Sequence, residues 1–128
     1  MKYYFSKEID LPFDEAVIRA TEALKREGFG VLTDIDVSAT LKKKLDVDFR
    51  RYRILGACNP SFAYQALQAE DKIGTMLPCN VIVQEISPER SEVAAIDPIA
   101  SMRAIENPQL QGIAEQVRQM LQRVVDEL

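Results

Sequence analysis

Two cysteines, Cys58 and Cys79, are the residues of this sequence best suited to chemistry, and each is followed at once by asparagine. Cys58 ends the apolar run of "RILGACNPSF", and Cys79 follows Pro78 in "GTMLPCNVIVQE". Asn59-Pro60 reads as a helix start, because asparagine supplies a capping oxygen and proline at the first helical position loses no needed hydrogen bond. The sulfur of Cys58 is therefore expected near a helix N-terminus. Exposed amides and the helix dipole there favour the thiolate, which is both the nucleophile and the metal ligand. Cys79 is expected where the next strand begins. If that strand runs antiparallel beside the one before Cys58, both thiols fall at one end of the sheet. A parallel arrangement would part them by a strand length, about 17–20 Å.

Three readings of the pair stay open. Each cysteine can be a small buried core residue, the commonest fate of a free thiol. The two can form a redox or sulfur-handling dithiol, with Cys58 attacking and Cys79 resolving or supporting. They can also hold a soft ion such as Cu(I), which accepts two thiolates. Asn59 is most simply the cap, whereas Asn80 lies in a predicted strand, where asparagine is disfavoured and needs a polar partner or a ligand. Asp97, before Pro98, reads as another cap and, beside two thiols, as a proton acceptor. The candidate ligand-binding set is Cys58, Asn59, Cys79, Asn80 and Asp97, with the two cysteines as the catalytic candidates.

A second candidate is electrostatic. The net charge of the 128 residues is −4, which argues against general binding to nucleic acid. Yet residues 42–53 hold six cations against Asp46 and Asp48, a local +4 that leaves −8 for the remainder. Arg51 and Arg53 of this segment are a weaker candidate anion site. The simpler reading is a solvated helix face and strand edge.

Other chemistry is excluded by composition. With no histidine, neither a Ser-His-Asp nor a Cys-His pair can form within the chain. Two cysteines cannot supply a four-thiolate zinc site, and neither common glycine-rich phosphate loop is present. No cofactor and no resident metal site is assigned. The chain reads as a non-enzyme more readily than as a catalyst.

The elements that must position these residues follow from periodicity. Lys2 to Ile9 alternates as a half-buried strand with one wet face. Phe13, Ala16, Val17, Ala20 and Leu24 recur at helical spacing, and Gly28 closes that helix. A strand over about Phe29–Ile35 leads to a short helix ending at Leu45, capped by Asp36 or Ser38. A strand over about Arg50–Ala57 precedes the helix opened by Asn59-Pro60. "MLPCNVIVQEI" and "EVAAI" are the fourth and fifth strands. Asp97-Pro98 opens a short helix, Ile99 to Ile105, and Asn107-Pro108 a long one, Gln109 to about Glu127. The result is one domain, residues 1–128, of α+β class: a mainly antiparallel five-stranded sheet with two long helices on one face and several short ones. The apolar runs are too short for a membrane helix, the N-terminus lacks a signal-peptide core, and a cytoplasmic chain with free thiols is expected.

"YRILGACNP", "IGTMLPCNVIVQE" and "AIDP", after the lead-in "IDVSATLKKKLDVDFR", resemble the bacterial and archaeal family called domain of unknown function 302. The resemblance covers nearly the whole chain. It implies a curved antiparallel sheet of TATA-box-binding-protein-like topology, paired as a homodimer, and places Cys58, Asn59, Pro60, Pro78, Cys79, Asn80, Asp97 and Pro98 on recurring motifs without assigning them a role. DNA binding is not implied, since one fold hosts many functions and the charge is wrong. The leading functional expectation is a carrier or accessory protein that binds a small ligand or sulfur species at Cys58 and Cys79. The alternatives are a non-catalytic structural or homodimeric interaction module with both cysteines in the core, and a small-anion binder using residues 42–53.

Overall fold

The computed structural model describes residues 2–128. Five strands, β1 (Tyr4–Ile9), β2 (Gly30–Asp36), β3 (Tyr52–Cys58), β4 (Cys79–Ser87) and β5 (Arg90–Ile96), form one sheet in the order β1-β5-β4-β3-β2. Every neighbouring pair is antiparallel. Helices α1 (Phe13–Arg26) and α5 (Pro108–Asp126) are the two long ones; α2 (Val37–Leu45), α3 (Pro60–Ala69) and α4 (Pro98–Ser101) are short, and a single 3-10 turn spans Ile73–Met76. The α+β class and the one-sided covering expected from the sequence are what the chain adopts.

Local chemistry explains most boundaries. Helix α1 buries Phe13, Ala16, Val17, Ala20, Ala23 and Leu24 along one stripe. It ends because Gly28 takes φ +84, a conformation that costs glycine nothing. The Gly28 and Phe29 amides then donate to the Lys25 and Leu24 carbonyls, which turns the chain straight into β2. Asp36, not Ser38, caps α2: its side chain accepts from the Ala39 amide at 3.0 Å and from the Ser38 hydroxyl at 3.0 Å. Helix α4 is shorter than the expected Ile99–Ile105 and starts at Pro98, one residue after its Asp97 cap. Met102 then turns inward, 8% exposed.

The core divides in two. The main cluster lies between the sheet and helices α1 and α5, built on Leu55, Val81, Val83, Val93, Leu24 and Leu121. A second cluster, Ala66, Ile73, Met102, Leu110 and Ala114, lies between α3, the 3-10 turn, α4 and the first half of α5. Helix α5 joins them, and Ile113 touches both.

Neither long helix packs on the other sheet face, since the buried residues of α1 and α5 join the core on the first. The register aligns Ile35, Ile54, Ile82, Ala94 and Ser6 as one row across all five strands. Tyr52, Gln84, Glu92 and Glu8 form the next row. This face is more apolar than the alternation of β1 alone suggests.

Candidate functional site

The register places Ala57 of β3 directly opposite Cys79 of β4. The last residue of one strand and the first of the other therefore share one end of the sheet, as antiparallel pairing requires. Gly56 lies beside this junction. A Cβ there would collide with Thr33 Oγ1 and sit 2.8 Å from Pro78 Cγ, so only glycine lets Pro78 lie against the sheet and deliver Cys79 to it. The Leu77–Pro78 peptide is cis.

Beyond this end the two core clusters separate around a cavity of about 300 Å³. Cys58, Cys79 and Ala57 line it from the sheet. Helix α3 adds Phe62, Ala63, Ala66 and Leu67, and α5 adds Leu110, Ile113, Ala114 and Val117. Leu77, Pro78, Pro98 and Met102 complete much of the wall. Three alanines on facing helices leave the room, where larger residues would have closed it. The side chains with any polar character are the two thiols and Asn59.

Both thiols are free, Cys58 half-buried and Cys79 buried. Burial pushes the Cys79 thiol up to about 11, and its charge repulsion with Cys58 acts in the same direction. That burial disfavours the Cys79 thiolate, and Cys58 is the more exposed of the two thiols. Asn59 caps α3, its Oδ1 accepting from the Phe62 amide at 3.4 Å; its Nδ2 lies 3.1 Å from where a Cβ on Gly28 would be. The cap that starts α3 is thereby packed against the turn that ends α1.

Two members of the expected set lie elsewhere. Asn80 is exposed, on the uncovered face opposite Gly56. Successive strand residues point to opposite faces, so Cys79 and Asn80 cannot both face the cavity. Asp97 is 9% exposed; its Oδ1 caps the Ile99 amide at 3.0 Å and its Oδ2 accepts from Arg118 Nε at 3.2 Å. It is absent from the cavity wall, to which its neighbour Pro98 contributes.

The basic segment does not converge on one point. Arg51 pairs with Asp14 at 2.9 Å and lies over the Phe13 ring. Arg53 forks onto Asp34, a hydrogen bond that raises the arginine further above its ordinary range. Lys42 pairs with Asp46 at 3.1 Å and Asp48 at 3.3 Å. Arg50 stacks on Phe49 and donates to Gln84 at 2.8 Å. Sequence reasoning missed the α5 and α4 walls of the cavity. The spacing of Ala63, Ala66 and Ala114 was the available signal, but only tertiary contact reveals that these residues face one another.

A family model described as "Domain of unknown function DUF302" matches residues 5–128. The chain belongs to the DUF302 family. Its fold is also that of a solved member, an uncharacterized conserved DUF302 protein from Bacillus stearothermophilus. That similarity has a TM-score of 0.90 at 27% identity, over 99% of this chain and 98% of the other. No curated protein matches this DUF302 chain. Among the described residues, no cluster of three or more metal-ligating side chains occurs, and no helix is long and apolar enough to cross a membrane.

Proposed function

We propose that this DUF302 domain is a carrier or accessory protein that binds a small ligand or sulfur species in the cavity between α3, α5 and the β3–β4 end. Cys58 is its accessible thiol and Cys79 its buried one. The observation that carries this reading is that one apolar cavity of about 300 Å³ contains both of the chain's thiols. Pockets of this size, apolar with a few placed polar groups, are the usual form of a small-molecule site. Apart from the thiols, no acid or base lines the wall, which favours carriage over turnover. Free thiols suit a reducing compartment such as the cytoplasm.

Timed alkylation of the native protein is the direct test. Cys58 is expected to react with a small maleimide in the folded state, and Cys79 only after denaturant. Protection of both thiols until unfolding would falsify a working thiol site and return both cysteines to the core.

A second reading concerns a partner. We propose that the uncovered face pairs with a second copy of itself about a two-fold axis parallel to the central strand β4. Each strand then lies over its counterpart from the far side of the sheet. Ile82 meets Ile82 on the axis, and on either side large meets small, Ile54 against Ala94 and Ile35 against Ser6. In the next row Arg50, held over Tyr52 and Gln84, meets the Glu92 and Glu8 side of the partner. These pairings, read from strand order and register, support the reading, since an isologous interface must be self-complementary. Sedimentation across a range of concentrations measures the association, and a monomer throughout rejects it.

A further inference from the structure

The cavity wall specifies the kind of molecule it can hold. No residue that lines it carries a positive charge, and Asn59, its one amide, already spends its oxygen on the Phe62 backbone. The nearest ion pair in sequence, Asp97 with Arg118, is internally matched at 3.2 Å. An anion entering here would lose water and find no positive charge, only the Asn59 amide hydrogens, which costs several kcal/mol. A hydrocarbon group gains free energy on leaving water for the same wall.

Size narrows the class further. An apolar cavity of roughly 150 Å³ accepts a benzene ring, so one of about 300 Å³ accommodates about twice that, on the order of ten to twelve carbons. The two thiols are soft, polarizable and weakly hydrogen-bonding, compatible with hydrocarbon or with neutral organosulfur. Cys58 is the more exposed of the two, which puts the polar or reactive end of the ligand on its side.

We propose that the occupant is an uncharged, hydrocarbon-rich molecule of about ten to twelve carbons, seated against α3 and α5 with its polar end at Cys58. Inorganic sulfide, persulfide and small carboxylates are not its ligands. This rests on the reading of the cavity as a binding site and names the ligand class for it.

The test uses the intact chain and the neutral ten-carbon fluorophore 1-naphthylamine, whose emission shifts to the blue in apolar surroundings. Binding is expected, with displacement by 1-decanol, displacement at least about tenfold weaker by decanoate, and none by sulfide. Ala63→Leu, which places a larger side chain in the cavity, is expected to abolish binding while the chain stays folded. Alkylation of Cys58 by a bulky maleimide is expected to reduce it. Decanoate or sulfide competing as well as decanol overturns the ligand class but leaves a working cavity. Absent binding, or binding that survives both Ala63→Leu and Cys58 alkylation, overturns the cavity as a site. The second alteration keeps the test decisive if Ala63→Leu fails to fold.

Discussion

Burial first, and repulsion from Cys58 second, hold the Cys79 thiol up to about 11 against an ordinary value of 9.0. The consequence for stability has a definite sign. Between those two pH values the unfolded chain has released the Cys79 proton and the folded chain still holds it, so the unfolded state gains. The contribution is intact below about pH 9 and fades as pH rises toward 11, by roughly 2–3 kcal/mol at about 1.36 kcal/mol for each tenfold difference in proton affinity. Other groups titrate in that range, so the comparison is with Cys79→Ala, which lacks only this one. Denaturant titrations should show the native protein losing stability relative to the variant from pH 9 to 11. A gap constant over that range would mean that the thiol is not held in an apolar wall.

Helix α5 does at the scale of elements what no single residue does: it forms a wall of the cavity with one half and seals the main core with the other. Its start is unusually well tied. Asn107 Oδ1 accepts from the Gln109 and Leu110 amides, and its Nδ2 donates to the Ala69 carbonyl at 2.8 Å and the Glu70 carboxylate at 3.2 Å. One side chain both caps α5 and pins it to the end of α3. Asn107→Ala should destabilise by about 1–2 kcal/mol and raise amide exchange at the end of α3. Asn107→Ser keeps a capping oxygen but is too short to reach Ala69 and Glu70, so it should recover part of the stability without restoring exchange protection. Equal exchange in all three proteins would show that α3 does not depend on this tie. The Asn107 cap, like those at Asp36, Asn59 and Asp97, was legible because capping is written in adjacent residues. The antiparallel β3–β4 junction was legible too, from the order of elements. What local pattern could not supply was which faces meet across long sequence separations. Hence the α5 wall went unread, and Asn80 was grouped with a neighbour that points the other way. The start of β3 falls at Tyr52 rather than near Arg50, although the Arg51 carbonyl just before it accepts from the Glu85 amide of β4 at 2.9 Å.

For the whole molecule the open question is what covers the second face of the sheet. Alternation in β1 announced a wet face, but β1 is an edge strand, and the strands inside it put Ile54, Ile82 and Ala94 on that face. Helix α2 adds to the exposed apolar surface. It has no buried residue, and Leu45 at its end is 66% exposed. A nine-residue helix has little stability alone, so contact with a partner would favour it. The two-fold pairing proposed above puts Ile82 on its axis, where any change is met by itself. Ile82→Glu places two carboxylates face to face across a spacing of about 10 Å, in a site that pairing would dry. Within one chain the same side chain is only half-buried, so the fold should survive. The variant is therefore expected to sediment as a folded monomer with the native circular dichroism spectrum, while the native chain dimerises. Arg50→Glu should weaken pairing less, and Arg50→Glu combined with Glu92→Arg should restore part of it, because the operation brings those two positions together. Restoration is the discriminating result, since general damage to the face gives no reason for a second charge change to repair the first.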